Sequence, residues 1–479
     1  MKFKRLLALV TVTALTVATI VGCGSSSGTK ESASTSTTAD AAEAIANATT
    51  TTKTVSMGDT KIEVEVTDIG KSGTFTYWSA FTGDSAVWDQ KRVDAFNEAY
   101  ADLNIKCEVQ FVPDGAGINN GKLLSAIAGG TAPDLLVTDN ATSSYQYAAE
   151  GCFEPLDNIL KAIDLDVSSF YDGCKDVMYY DNTCYLVPQD TNVILLYYNP
   201  DIATECGLDP AAPPTTLAEL DKWAEAMTVQ EADGTYSRFG LIPWLDSGAD
   251  AFALPYIFGS DPYNAETGKI DLTSDKMIQY MDWVQSYAEK YDPEKINAFT
   301  SGLGGMFSPD HAFMTGKVGM TFTGNWFSNA LKIYAPDVKF EVAAVPVPDG
   351  GRANSTTFGC NVFAITKDSP NADLAALFIK FCEQGSVNED NFSVWRSIPV
   401  IDAAFDEVSL TKNGDEMYAL EREIANSPAN GIPALCGVSA ELSQEFVSAR
   451  ERLIYDTSLD PKTELQALQD KMQATLDAK

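Results

Sequence analysis

The chain has 479 residues and a formal net charge of −34, from 67 acidic and 33 basic side chains. Charge of that sign opposes approach to phosphate backbones, which argues against nucleic acid as a partner and against lying flat on an anionic membrane. The single histidine, His311, leaves little room for a Ser-His-Asp triad or a histidine-rich zinc site.

Lys2, Lys4 and Arg5 precede an apolar run from Leu6 to Val21. The run is shorter than the roughly 20 residues a spanning helix needs, so residues 1–22 read as an export signal peptide. It ends at Ile20-Val21-Gly22-Cys23, which resembles a bacterial lipobox. That resemblance implies lipidation of Cys23 and a lipid anchor on the outer face of the cell membrane. Loss of the three signal-peptide cations would take the charge to −37. Residues 24–53 are rich in Ser, Thr, Ala and Gly and almost free of large apolar side chains. Such a segment cannot bury enough surface to offset its conformational entropy. Residues 23–71 are therefore expected to form the lipidated cysteine and a flexible linker.

The folded part begins at 72 and alternates strands with helices. Residues 71–81 read as a buried strand, and Val93, Phe96, Ala99 and Tyr100 mark one face of the helix that follows. A second strand starts at Ile105, a short helix lies over 120–130, and a third strand runs from Pro133 to Asp139. This β-α-β-α-β succession predicts a largely parallel, doubly wound sheet. Further on, Thr216 and Glu219 form a capping box, and Ser274 caps a helix with the stripe Met277, Met281, Val284 and Ala288. Leu374, Leu377, Phe378 and Phe381 mark another helix, and Leu465, Leu468, Met472 and Leu476 a last one. Beyond Cys23 there are eight cysteines. Cys174 and Cys184 are near enough in sequence to bridge, whereas Cys382 falls on an apolar stripe. No C-x-x-C pair occurs, so neither a zinc ribbon nor a thioredoxin-type motif is supported.

Five stretches carry a family resemblance: residues 126–139, 151–160, 186–220, 312–327 and 345–382. They hold a Gly-Gly-Thr-Ala-Pro-Asp strand start, a Phe-Glu-Pro-Leu turn and a Tyr-Asn-Pro crossover. A Gly-Lys-Val-Gly-Met segment running to Gly-Asn-Trp and a Pro-Val-Pro loop with its return strand complete the set. In this order they resemble the extracellular solute-binding proteins of ABC importers, in the sugar-binding group that includes maltose-binding protein. The resemblance implies a two-lobed, periplasmic-binding-protein-like α/β fold with a hinge and an interlobe cleft. The N-terminal lobe would comprise 72–187 and 342–390, and the C-terminal lobe 188–341 and 391–479. It also implies a non-enzymatic, monomeric binder without cofactor or metal. Such a protein captures a small molecule, above all a carbohydrate, and delivers it to an ABC permease.

Sugars present apolar ring faces and many hydroxyls, so their sites combine aromatic platforms with carboxylates and amides. The ligand-binding residues expected are Trp326, Asn325, Asp190, Gln189, Asp139, Asn361, Trp78, Tyr256, Trp395 and Arg396, with Trp326, Asp139 and Tyr256 resting on what the resemblance implies at those positions. Phe81 and Trp244 are further aromatics near strand ends or in Pro- and Gly-rich stretches, while Trp88 reads as packing and His311 as a surface or capping residue. Other solutes (a polyamine, a polyol phosphate), a ligand-sensing lipoprotein and a surface glycosidase are the alternatives. The last needs two carboxylates flanking a glycosidic bond, and no pair stands out by spacing.

Overall fold

A computed structural model describes residues 43, 48–112, 118, 121–139, 141–163, 165–246, 251–401 and 417–479. The expected signal peptide, Cys23 and the first half of the expected linker lie outside the described residues. The second half is not linker. Thr49–Met57 (β1) and Thr60–Asp68 (β2) pair as an antiparallel hairpin, in register from Thr49↔Asp68 to Met57↔Thr60. Gly58, at φ 61°, supplies the left-handed conformation that the two-residue loop needs. The threonine-rich composition hides a period-two pattern, in which Val55, Met57, Val64 and Val66 are each no more than 2% exposed. They pack on the body of the protein, where Lys53 Nζ donates to the Ala99 carbonyl at 2.6 Å and Thr67 N–H to the Tyr100 hydroxyl at 3.2 Å.

Next come Gly73–Ser79 (β3), Gly83–Tyr100 (α1), Ile105–Phe111 (β4), Lys122–Gly129 (α2) and Leu135–Thr138 (β5), the succession expected from periodicity. Gly130, at φ 68°, ends α2 by donating to the carbonyls of Ala126 and Ile127. Ala141–Ala149 (α3), Asp172–Met178 (α4), Val187–Asp190 (β6) and Ile194–Tyr198 (β7) follow. Leu217–Met227 (α5) starts on the Thr216/Glu219 capping box, and Asp275–Tyr291 (α6) on the Ser274 cap. Further along come Met320–Gly324 (β8), Phe327–Tyr334 (α7), Glu341–Ala343 (β9), Asn361–Ile365 (β10), Ala372–Cys382 (α8) and Gly385–Trp395 (α9), besides shorter helices and strands. Tyr418–Ala425 (α10), Ser439–Tyr455 (α11) and Pro461–Asp477 (α12) close the chain.

Two sheets organise these elements. The first has the order β4-β3-β5-β10-β6, with β3, β4 and β5 parallel and β10 antiparallel to both β5 and β6. It is thus mixed rather than wholly parallel, because β10 returns from the other lobe. The second is antiparallel, β8-β7-β9. The expected lobe boundaries fall inside elements: β6 belongs to the first sheet through Asp190, β9 to the second through Ala343, and α9 packs on α1 and β2 through Trp395. Residues 191–193, 344–360 and 396–401 cross between lobes, and the Thr191↔Ile398 bridge ties the first crossing to the last.

Phe75, Tyr77, Phe96, Phe363 and Phe378 are fully buried and form the first lobe's core between sheet and helices. Each such side chain contributes roughly 1.5–3 kcal/mol on burial. All eight cysteines among the described residues are thiols. The bridge envisaged between Cys174 and Cys184 is absent. Cys184 lies against the Leu186 carbonyl at 3.6 Å, and Cys174 faces Cys360, with 3.6 Å between sulfurs. His311 is not a surface residue. It is 2% exposed, 3.2 Å from Asp246 Oδ1, and accepts from Phe313 N–H at Nδ1.

Candidate functional site: an interlobe cavity

The strand ends of both sheets meet the crossing segments around a cavity of about 400 Å³. From the first lobe come Ala80, Phe81 and Thr82 after β3, Ser85 and Trp88 on α1, Asp139 after β5, Asp190 at the end of β6, and Asn361 at the start of β10. From the second come Met306, Phe307, Asn325 and Trp326, while Thr191, Asn192, Asn391, Trp395, Arg396 and Ser397 complete the wall. The volume lies within the range of roughly 300–1,000 Å³ usual for small-molecule sites.

Trp326 follows β8, and its ring folds back over Gly324. A Cβ built on that glycine would lie 1.6 Å from Trp326 Cζ3. The Gly-Asn-Trp sequence therefore lays an indole, half-buried, along the cavity wall. Phe81 is half-buried and Phe307 is 51% exposed. Trp395 is 9% exposed, and its indole N–H has no hydrogen-bond partner among the described residues; nor does Asn192 Oδ1. An unspent buried donor and acceptor in one cavity wall call for a ligand or water.

Asp190 is 2% exposed and accepts three amide hydrogen bonds: from Asn361 at 2.6 Å, Asn391 at 2.9 Å and Gln189 at 2.9 Å. Burial pushes its carboxyl above the usual range, against the opposing pull of these donors. Gln189 in turn accepts from Arg92 Nη1 at 2.6 Å. Arg92 is 1% exposed, paired with Asp89 at 2.5 Å and bonded to the Tyr77 hydroxyl at 3.1 Å. Its guanidinium lies 4.7 Å from the Trp88 ring centroid. A relay of buried polar groups thus supports the cavity wall from behind.

Arg396 is the one cation among the described lining residues. It sits at φ 56°, 2% exposed, and binds Glu421 on α10 through Nε–Oε1 at 2.5 Å and Nη2–Oε2 at 2.8 Å. Glu421 is itself fully buried, so the pair neutralises itself inside the protein. Asn325 lines the cavity, but its amide is spent. Nδ2 donates to the Arg396 carbonyl at 2.7 Å, and Oδ1 accepts from Val193 N–H at 3.2 Å. It stitches the end of β8 to two crossings.

The cavity brings together Asp139, Asp190, Asn325, Trp326, Asn361, Trp395 and Arg396 from the sequence expectation. Gln189, Trp78 and Tyr256 are not among its lining residues. Gln189 stands behind Asp190 in the relay. Trp78 lies inside β3, buried against its neighbours in the first lobe. Its indole donates to Gln110 at 3.1 Å, with Lys122 Nζ 4.9 Å from the ring centroid. Tyr256 lies beneath the Arg352 guanidinium at 4.0 Å. Trp88 packs under Arg92 as expected but also lines the cavity, and exposed Asp139 sits at its rim. Sequence reasoning missed Asn192, Asn391, Met306 and Phe307. For Phe307 a signal exists in the glycine-rich run from Gly302 to Gly305, which carries a large aromatic onto a loop.

Two lobes hinged at three crossings around a ligand-sized cavity define a binding protein. A family model described as bacterial extracellular solute-binding protein matches residues 91–417, and the chain belongs to that family. The galactooligosaccharide-binding protein of Bacillus subtilis is 23% identical over 319 residues, 64% of this chain and 69% of that protein. The sn-glycerol-3-phosphate-binding periplasmic protein UgpB of Rhizobium meliloti is 23% identical over 419 residues, 84% and 93% of the two chains. Among solved structures, CpMnBP1 with mannotriose bound is 28% identical at a TM-score of 0.75, covering 83% of this chain and 99% of its own. The sugar-binding protein MalE of Xanthomonas citri shares the fold at 18% identity and a TM-score of 0.68, covering 85% and 98%. No helix among the described residues is long and apolar enough to cross a membrane.

Proposed function

We propose that this protein is the extracellular receptor of an ABC importer, lipid-anchored at Cys23 after removal of residues 1–22. It captures a neutral oligosaccharide in the interlobe cavity and hands it, chemically unchanged, to a membrane permease. The observation that carries the ligand class is the wall itself. Trp326, Phe81 and Phe307 offer ring faces and Asp139 a carboxylate at the rim, while Asp190, Asn361 and Asn391, bonded to one another, line the wall with polar groups. Trp395 Nε1 and Asn192 Oδ1 remain unspent. Rings stack on apolar sugar faces, and the polar groups answer hydroxyls.

The relatives divide between sugars and a phosphorylated polyol. The wall favours the sugar, because its arginine is committed to Glu421 and two carboxylates would repel a phosphate. The same two carboxylates support a second reading, a polyamine. Manno-oligosaccharides head the test panel because CpMnBP1 was solved with mannobiose and with mannotriose. The experiment is isothermal titration of the mature chain with manno-, galacto- and malto-oligosaccharides, glycerol 3-phosphate and spermidine. Binding of a neutral oligosaccharide is expected, with affinity lost about tenfold or more in Trp326→Ala, the equivalent of about 1.4 kcal/mol. Binding of spermidine or glycerol 3-phosphate alone overturns the sugar reading. Release of free sugars on incubation with the pure chain would reveal a hydrolase instead.

A further inference from the structure

The cavity wall is backed by two thiols that the binding reading does not use. Cys174 lies on α4 in the first lobe, and Cys360 is the last residue of the crossing segment 344–360, immediately before Asn361. Both are fully buried, their sulfurs are 3.6 Å apart, and Cys360 Sγ lies 3.7 Å from Thr191 Oγ1. The backbones around them are held close. A Cβ on Gly173 would meet Phe358 Cδ2 at 2.5 Å, so α4 and the crossing segment pack without slack. Among the described residues, Cys107, Cys152, Cys184, Cys206, Cys382 and Cys436 show no such sulfur contact.

We infer that Cys174 and Cys360 close into a disulfide when the chain folds outside the cytoplasm. The reasoning joins the sulfur contact to the compartment: the family is extracellular, where disulfides form and persist. The oxidant is a disulfide donor, either a thiol–disulfide oxidoreductase or a small-molecule disulfide. The Cys174 thiolate attacks one donor sulfur and expels the first donor thiol. The Cys360 thiolate then attacks the Cys174 sulfur of the mixed disulfide and expels the second. The chain loses two electrons and two protons, and the donor disulfide becomes two thiols. In the folded chain both sulfurs are out of reach of solvent, and burial pushes the Cys174 thiol up. The bond therefore forms before the crossing segment seats against α4, and is shielded from reductants afterwards.

The consequence is mechanical. A bond here fastens residue 360, and with it Asn361 and its contact to Asp190, to the first lobe. Within that crossing, bending is then left to the residues upstream of Cys360. The bond also closes a loop of 186 residues in sequence separation, and long loops gain most in the chain-entropy account of disulfide stabilisation.

The test takes the full chain from its native cell envelope, with alkylating agent present from lysis, and maps its peptides without reduction. The peptides carrying Cys174 and Cys360 are expected joined, and two hydrogens lighter than their sum. Reduction under denaturing conditions should lower the melting temperature by several degrees, the change expected from a few kcal/mol in a chain of this size. The redox dependence should vanish in Cys174→Ser and in Cys360→Ser alike. Alkylated thiols at both positions in the envelope-derived chain, or either cysteine joined to a third, overturn the inference. The peptide map needs no variant to fold, and it is independent of ligand binding, so its failure leaves the sugar reading standing.

Discussion

Arg92 shows how far the binding wall depends on a residue that never touches it. It lies at the centre of the relay from Asp89 to Gln189 and Asp190, 1% exposed and flanked by the rings of Trp88, Phe363 and Phe378. Removing one partner of a buried pair leaves the other charge uncompensated, typically at a cost of about 3–5 kcal/mol. Arg92→Ala is expected to lose stability on that scale in denaturant titration, and to weaken ligand binding because Gln189 loses its anchor. Glu383 makes the opposite case. Its two carboxyl oxygens are sealed from solvent without a partner among the described residues. Burial first, and the Asp190 charge second, push its carboxyl well above the usual range. The folded chain then holds a proton that the unfolded chain releases, so stability falls as pH rises. The contribution is fully favourable below about pH 4.5, the ordinary value, and is lost as pH climbs toward the folded-state value. Glu383→Gln should therefore match the wild type in melting temperature at pH 4. It should exceed it at neutral pH, by on the order of 1 kcal/mol for each unit of pKa displacement.

At the scale of elements, the turn from β8 into α7 sets the cavity wall through a glycine. Gly324→Ala has no room beside Trp326, so the indole must leave its place. Titration calorimetry should show affinity falling about tenfold, as in Trp326→Ala, while the capping and stripe residues of α5 and α6 hold the rest of the lobe. Those helices were legible in advance because their signals are local. The Thr216/Glu219 box and the Ser274 cap act within one turn, and Met277, Met281, Val284 and Ala288 are all buried. The hairpin was not legible, because threonines on its outer face resemble a linker while Val55, Met57, Val64 and Val66 alternate beneath. For the site, Trp326, Asp190 and Asn361 follow from motif and strand end. Trp78 is instead held by Gln110 on β4 and Lys122 on α2, tertiary neighbours that its position near a strand end does not reveal. Asn391 reaches Asp190 from a helix 201 residues away, a contact with no local signal.

At the scale of the molecule, the lobes also meet away from their crossings. The Tyr334 hydroxyl on α7 donates to Asp84 Oδ2 on α1 at 3.3 Å, and Ala440 N–H on α11 donates to Gln146 on α3 at 3.0 Å. Contacts present only with the lobes together add to the affinity of any ligand that binds both. Tyr334→Phe removes one exposed hydrogen bond worth about 0.5–1.5 kcal/mol. It should weaken ligand affinity by about two- to tenfold with no change in the cavity, read by calorimetry on the proposed oligosaccharide. The acidic surface, at −34 overall, should leave capture of a neutral sugar insensitive to salt, whereas a cationic ligand would lose affinity as salt rises.

The β1–β2 hairpin has a consequence for load. Lys53, Ser56, Thr67, Glu65 and Glu63 bond it to α1 and to the start of α9, and all of these contacts lie on the first lobe. Any force transmitted along the chain from upstream of residue 48 is therefore borne by that lobe alone. The second sheet and its helices carry none of it. If the chain is tethered through Cys23 as proposed, it has one fixed jaw and one free jaw, and ligand-driven closing does no work against the tether.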